Sequence, residues 1–229
     1  NVVSGIEIFK NTKGVLVRLR FIRIGSKGAN GMIALPGGNT VAISAGDEGL
    51  VFLNVQAAID GTAKPYILSQ GPGAGSWDSV VTPDGRCIFS ANEYGIFQHQ
   101  RGNIGVVSIE LDHGGKLIRA HTIRRIPTGN KAPRLALSPD GSRLYVVREI
   151  LPLGAVAHFH GKQNPLLAKH DCVQIKGIPP HANGLLTVID VKRAIELPSG
   201  EGSIITEMAS GCSPVNVVET QDSSMLYVA

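Results

Sequence analysis

The sequence predicts an all-β chain built from a repeated four-stranded antiparallel unit. Three observations lead to this prediction. Pairs of short apolar segments recur along the chain, and a tight-turn signal joins the two members of each pair. Glycine and proline are also abundant, with 28 and 13 residues among 229. Many turns and few long helices follow from that composition.

The turn signal is clearest where Pro-Asp-Gly joins two apolar segments. It occurs at residues 83–85 and 139–141, and Pro36 and Gln221 stand at the matching places of two weaker copies. Proline presets φ, aspartate hydrogen-bonds its own backbone and glycine tolerates a positive φ, so this tripeptide favours a tight turn between antiparallel strands. Hairpins of a first and a second strand are therefore predicted over residues 31–45, 79–91, 135–147 and 215–229.

A third apolar segment and a more polar fourth one follow each of the first three hairpins. Third strands are predicted over residues 49–55, 104–110 and 184–190, and fourth strands over residues 66–68, 117–126 and 203–208. Helix is expected only in short turns, such as residues 55–60. Four antiparallel strands that are apolar inside and polar outside form one blade of a β-propeller.

The two ends of the chain match half-blades. Residues 4–9 and 15–24 resemble a third and a fourth strand, and the last hairpin supplies a first and a second one. The pattern thus predicts about four blades' worth of strands in a single propeller domain over residues 1–229. The half-blades can pair to close a small ring or form the edges of a larger one, which we favour. Residues 151–182 are predicted as an insertion between the second and third strands of one blade.

Composition excludes several functional classes. Hydrophobic residues make up 43% and charged residues 17%, which is typical of a folded chain. The net charge of +4 has no single basic run behind it, so we expect no nucleic-acid partner. No stretch reaches the roughly 18 apolar residues of a membrane span, and three distant cysteines match no disulfide framework. Because the chain lacks an initial Met and stops inside a strand pattern, we expect a processed or truncated chain of unknown localisation.

The repeat resembles that of a known family. Residues 135–147 read Leu-Ala-Leu-Ser-Pro-Asp-Gly-Ser-Arg-Leu-Tyr-Val-Val and are similar, nearly letter for letter, to the repeat of the YVTN and lactonase-like seven-bladed propellers. The segments 213–218 and 226–229 resemble it too. The resemblance implies that this chain forms part of a seven-bladed ring. Relatives include sugar lactonases, a muconate-lactonising enzyme and propellers without a known reaction, so the fold implies no chemistry by itself.

An acidic residue follows the second strand in three repeats, as Asp47, Glu93 and Glu149. In a propeller this position opens on the same face as the loop that leads into each blade, and ligands usually meet that face. Three carboxylates around one channel would repel one another, which raises a pKa or favours a shared cation. Alternatively, each carboxylate accepts backbone N–H bonds and only orders its loop.

The resemblance also implies candidate catalytic residues. Glu93 and Glu149 are similar to the glutamate that can line the catalytic cleft of lactonase-like relatives, and Arg134 matches an arginine of their lead-in loops. A lactonase needs an acid–base group near the ring oxygen and a cation for the carboxylate or phosphate. The lead-in loops lack the histidine of that family, and one of them holds Trp77 and Asp78, predicted to contact a ligand.

The leading functional prediction is therefore a module that binds a small molecule or a protein on the loop face, without assured catalysis and without a cofactor. A lactonase or lactonising cycloisomerase is the alternative. A second alternative is a Zn or Cu site in the insertion, because imidazole and thiolate are preferred ligands of both metals. Its candidate ligands are His158, His160, His170, Cys172 and His181.

Arginines are concentrated on the predicted fourth strands. Because fourth strands form the outer edge of a blade, we interpret these charges as protection against edge-to-edge aggregation, with an acidic partner as the alternative. The residues are Arg18, Arg20, Arg23, Arg119, Arg124 and Arg125.

Overall fold

The computed structural model describes residues 4–25, 28–68, 75–94, 101–129, 132, 134–150, 183–212 and 214–229. Within these ranges the chain is mostly β-strand, as the sequence predicts. The strands are β1 Ser4–Thr12, β2 Val15–Gly25, β3 Gly31–Ala34, β4 Thr40–Ser44, β5 Leu50–Asn54, β6 Tyr66–Leu68, β7 Ser76–Val81, β8 Cys87–Tyr94, β9 Arg101–Leu111, β10 Leu117–Gly129, β11 Arg134–Leu137, β12 Arg143–Ile150, β13 Asn183–Asp190, β14 Ile204–Cys212, β15 Val217–Glu219 and β16 Leu226–Val228.

Among the described residues, helix is confined to short segments. The α-helices are α1 Val55–Asp60, at the predicted position, and α2 Val191–Glu196, and a 3-10 helix covers Gly200–Ser203. In the ranges that the structure describes, no helix is long and apolar enough to cross a membrane.

The strands form three four-stranded antiparallel sheets and two two-stranded ones. We call the complete sheets blade 1 (β3–β6), blade 2 (β7–β10) and blade 3 (β11–β14), and in each of them the strands pair in chain order. Within the described residues, the hairpins β1–β2 and β15–β16 are two separate sheets and do not pair with each other. The first strand of blade 2, β7, contacts the first strands of blades 1 and 3, β3 and β11, which is the arrangement of a β-propeller.

The core lies between the blades, and the central strands are buried on both faces. Successive residues of β8 show this directly. Ile88 packs with Phe52 of blade 1, and Phe89 packs with Leu144 and Val146 of blade 3. Because side chains alternate across a strand, a strand between two apolar layers reads as a continuous apolar run. The burial of each blade therefore depends on both of its neighbours.

Side-chain hydrogen bonds stabilise the tight turn of blade 3. The Ser138 hydroxyl donates to Oδ1 of Asp140 (2.5 Å), and the same oxygen accepts the Ser142 N–H (3.0 Å). The Arg143 N–H donates in turn to Oγ of Ser138 (2.9 Å). Equivalent bonds close the turns at residues 82–87 and 220–225. The repeat therefore uses its hydroxyl and its aspartate as one unit, beyond the backbone preferences of Pro-Asp-Gly.

These turn carboxylates make the folded chain sensitive to acid. The Ser138 hydroxyl holds the pKa of Asp140 at about 2, against an ordinary value of 3.8. Between these values the folded state binds fewer protons than the unfolded state, so the free energy of unfolding falls as the pH drops from about 4 towards 2. We expect Asp140→Asn to reduce this acid-induced loss, as measured by urea denaturation across that range. An identical pH dependence in the variant would contradict this role for Asp140.

The turns of successive blades stack on one another. An ideal Cβ on Gly85 lies 2.6 Å from Cγ of Pro36, and one on Gly141 lies 2.6 Å from Cγ of Pro83. The proline of one turn therefore occupies the space that a side chain on the next turn's glycine needs. The glycine of the repeat is required both by its positive φ, which is +70° at Gly85, and by the neighbouring blade.

Each α-helix is held by an arginine from the preceding sheet. Arg20 of β2 donates from Nη1 to the Ala58 carbonyl oxygen of α1 (2.9 Å). Arg124 of β10 donates from Nη1 to the Ala194 carbonyl oxygen of α2 (2.7 Å). Cations are favourable near the carbonyl end of a helix. These two arginines therefore connect neighbouring sheets, a role that the edge-charge interpretation did not include.

Candidate functional site

The blades present two different ends. We call the end that carries the tight turns the turn face, and the opposite end, where the chain leads into each blade, the loop face. Asp47 lies between β4 and β5, Glu93 lies near the end of β8, and Glu149 lies near the end of β12. The backbones of all three acidic residues are therefore at the loop face.

Trp77 and Glu93 form one pair at this face. The register of β7 against β8 shifts between Ser76 and Asp78, so Trp77 is the extra residue of a β-bulge. A bulge changes the direction of a side chain relative to the regular pleat. The indole Nε1–H of Trp77 donates to Oε2 of Glu93 (3.2 Å), and Trp77 as a whole residue stays 38% exposed. The pair therefore presents an ordered aromatic surface to solvent.

Asp78 and Arg134 form a second pair, between the first strands of blades 2 and 3. Nη1 of Arg134 lies 3.6 Å from Oδ1 of Asp78, and the Leu135 N–H donates to Oδ2 of Asp78 (3.0 Å). Blade 1 lies on the other side, because an ideal Cβ on Gly31 would be 3.2 Å from Oδ1 of Asp78. Three innermost strands thus meet at this carboxylate, and Gly31 leaves room for it.

Burial dominates the electrostatics of Asp78. Removal of water raises the pKa of Asp78 above its ordinary value of 3.8, although the Leu135 N–H and the Arg134 guanidinium both act to lower it. The side chain of Arg134 is 42% exposed, whereas that of Asp78 is only 17% exposed. The anion of the pair is therefore largely buried, and its cation is partly accessible.

A chain of buried polar groups lies beneath the Trp77 bulge. The hydroxyl oxygens of Ser76 and Ser90 are 3.0 Å apart, and Ser90 donates to Oδ1 of Asn92 (3.1 Å). Nδ2 of Asn92 donates to Oδ1 of Asn103 (3.2 Å). All four side chains are buried. Buried polar groups are stable only when they are hydrogen-bonded, so this chain of hydrogen bonds holds the ends of β7, β8 and β9 together. Sequence reasoning did not identify it.

Not every predicted site residue joins these pairs. Asp47 is half-buried at the loop face, in the segment between β4 and β5. The side chain of Glu149 lies outside the described residues, so the predicted convergence of Glu149 with Arg134 stays a prediction. The partner that the structure gives Arg134 is Asp78, from the preceding blade.

The predicted metal ligands lie outside the described residues as well. They are His158, His160, His170, Cys172 and His181. In the part of the chain that the structure does describe, no three His, Cys, Asp or Glu side chains come together as a metal site.

The arrangement is suited to binding an anion beside an aromatic surface. A guanidinium has five N–H donors, and one contact of 3.6 Å with Asp78 leaves most of them for another partner. An exposed indole adds a flat apolar surface for stacking. For lactone hydrolysis, a base would also have to be poised to activate water. Glu93 accepts from Trp77, and Asp78 accepts from Leu135 and faces Arg134, so both are already engaged.

No protein-family model and no curated protein sequence matches the chain. Among solved structures, hydrazine synthase of Kuenenia stuttgartiensis is similar with a TM-score of 0.58 and 14% identity, over 93% of this chain and 46% of that one. A putative 6-phosphogluconolactonase of Bacteroides fragilis has a TM-score of 0.58 and 17% identity, over 98% of this chain and 57% of that one.

The chain thus spans about half the length of the solved chains it matches. At these identities the likeness extends to the fold alone. It agrees with the strand order, the inter-blade core and the repeated turn, all of which are seen in the described residues. The chain is a run of β-propeller blades.

Proposed function

We propose that this chain is a binding module of a β-propeller, which takes a small anionic ligand on its loop face without converting it. The proposal rests on one observation about the adjacent residues Trp77 and Asp78. Trp77 is an exposed aromatic residue of the loop face, and Asp78 holds the partly exposed guanidinium of Arg134 there. Trp77 is ordered by Glu93, and Arg134 is held by Asp78. A sugar acid or sugar phosphate would place its anionic group against the guanidinium and its C–H groups against the indole ring.

The position of Asp78 supports binding in a second way. Its largely buried carboxylate orients the guanidinium of Arg134, so that less conformational freedom is lost when a ligand binds. The Leu135 N–H of blade 3 holds the carboxylate, and Gly31 of blade 1 leaves room for it. The site is therefore preorganised by three blades rather than by one flexible loop.

Membership of the lactonase-like family, with lactone hydrolysis, is the alternative. It is supported by the resemblance of the repeat and by the fold likeness to a putative 6-phosphogluconolactonase. The lead-in loops lack the histidine of that family, and the described acids at the site are engaged by other groups. We therefore expect no hydrolysis of sugar or muconate lactones.

The single tryptophan of the chain offers a direct test. We expect 6-phosphogluconate, which carries a phosphate and a carboxylate, to change the emission of Trp77 in a saturable way. Arg134→Gln should weaken this binding about tenfold, because a charge-assisted contact is lost. Arg119→Gln is the matched control, since Arg119 is an exposed arginine on the outer strand β10, and it should bind as the wild type does.

Three outcomes would contradict the proposal. The first is equal affinity in the Arg134→Gln and wild-type chains, and the second is no response of Trp77 to 6-phosphogluconate. The third is hydrolysis of 6-phosphogluconolactone that disappears in Glu149→Gln while circular dichroism shows the fold intact. That result would show that the chain hydrolyses a lactone, and it would favour the lactonase-like alternative over the binding module.

A further inference from the structure

A cavity opens at the turn face between blades 1 and 2, at the opposite end of the blades from Trp77 and Arg134. Its volume is about 220 Å³, and it is lined by the ends of β5 and β6, helix α1 and the start of β10. Phe52, Ala57 and Leu117 contribute apolar surface to its walls. None of the proposed loop-face residues lines it, so it is a separate feature of the molecule.

The walls of the cavity are fixed to one another across the two blades. Thr40 of blade 1 is buried and donates from Oγ1 to the Gly115 carbonyl oxygen (2.9 Å). The same hydroxyl oxygen accepts the Leu117 N–H of blade 2 (3.1 Å). A wall that is already hydrogen-bonded loses little freedom when a ligand enters, so the cavity is preorganised.

The charge at the cavity is positive. Lys64 and Lys116 both line it, and none of its lining residues is Asp or Glu. Nζ of Lys64 lies 5.6 Å from the centroid of the Tyr66 ring, a cation–π contact that holds the ammonium group beside the cavity. Asp112 is the nearest acidic residue before Lys116 in the chain, and its carboxylate accepts hydrogen bonds from the backbone N–H groups of Gly114 and Lys116. Within the described ranges, neither lysine forms an ion pair.

We propose that this cavity binds a small organic anion, with its carboxylate between Lys64 and Lys116 and its apolar body against Phe52 and Leu117. The size favours a single ring or a short aliphatic chain, because pockets for drug-sized ligands are larger, at roughly 300–1,000 Å³. A cavity lined by two lysines and by apolar side chains matches a carboxylate attached to a hydrocarbon, whereas a free inorganic anion would leave the apolar wall unused.

Benzoate is the probe that tests this proposal, with binding measured by isothermal titration calorimetry at low salt. We expect a one-to-one complex in the millimolar range, and no binding of the uncharged analogue benzamide. Lys64→Gln and Lys116→Gln should each weaken benzoate binding about fivefold, a modest change because both lysines are exposed. Lys192→Gln is the matched control, an exposed lysine on helix α2 of blade 3, and should change nothing.

A second variant tests the cavity itself. Ala57→Leu fills the space without changing any charge, and we expect it to abolish benzoate binding. Addition of saturating 6-phosphogluconate should leave benzoate binding unchanged, which separates this cavity from the loop-face site. Equal affinity for benzamide, unchanged binding in Ala57→Leu, or displacement of benzoate by 6-phosphogluconate would overturn the proposal. So would a wild-type chain that does not bind benzoate at all.

Discussion

Gly115→Ala is expected to lower the free energy of unfolding by about 3 kcal/mol, combining left-handed backbone strain with overpacking. Gly115 precedes β10 at the turn face and has a φ of +77°. An ideal Cβ at this position would lie 2.4 Å from the Pro36 carbonyl oxygen and 2.8 Å from Cα of Gly37. Both contacts are with backbone of blade 1, which cannot move aside as a side chain can. Urea denaturation followed by circular dichroism measures the loss.

Gly38→Ala is the matched control for this prediction. Gly38 lies in the tight turn of blade 1 with a φ of +73°, and nothing lies within 4 Å of an ideal Cβ there. This variant should cost only the backbone strain of an alanine at positive φ, about 1 kcal/mol. The difference between the two variants isolates the packing of blade 2 on blade 1. If both lose the same stability, the close contact of Gly115 with Pro36 is not the cause.

Glu207→Gln is expected to destabilise the chain by about 3 kcal/mol, because it removes the charge that compensates a buried arginine. The side chain of Arg148 is only 3% exposed. Its guanidinium forms an ion pair with Glu207 and donates to the Thr128 carbonyl oxygen of blade 2. The Thr187 hydroxyl also donates to Glu207 (3.1 Å). Burial lowers the pKa of Arg148 to about 10 even though Glu207 acts to raise it, so Arg148 is a buried cation at neutral pH in the wild-type chain.

Two further variants make this prediction specific. Glu110→Gln breaks the exposed pair with Arg119, whose Nη2 lies 3.3 Å from Oε2 of Glu110, and should cost less than about 0.5 kcal/mol. The double variant Arg148→Met/Glu207→Leu removes both buried charges and should recover most of the stability lost in Glu207→Gln. If Glu207→Gln lowers the free energy of unfolding no more than Glu110→Gln does, the buried ion pair contributes no more to stability than the exposed one.

The blade pattern could be predicted because each of its signals is local. The turn at Pro83-Asp84-Gly85 depends on the φ preferences of adjacent residues and on a hydroxyl one residue earlier. Strands follow from runs of apolar residues, and the predicted strands lie in the correct segments of the described chain. Strand ends were less accurate. The third strand of blade 2 begins at Arg101 rather than Ile104, and its fourth strand continues to Gly129.

The candidate site was predicted only in part, for a physical reason. Trp77, Asp78, Glu93 and Arg134 were singled out by their place in the repeat, but the pairs they form were not. Asp78 and Arg134 are on different blades, and their contact depends on how the two sheets pack around the channel. The bulge at Trp77 shifts a register that an alternating pattern treats as regular. The role of Gly31 depends on a carboxylate of the next blade.

The sequence alone determined what each blade is, because strand order and turn type are set by neighbouring residues of one chain segment. Only the tertiary structure decided how the blades contact one another. The stacking of Pro36 on Gly85, the bond from Arg20 to Ala58 and the cavity beside Lys64 and Lys116 all join segments of different sheets. Contacts of that kind follow from the angle and spacing at which sheets pack, and no local preference of the chain encodes those.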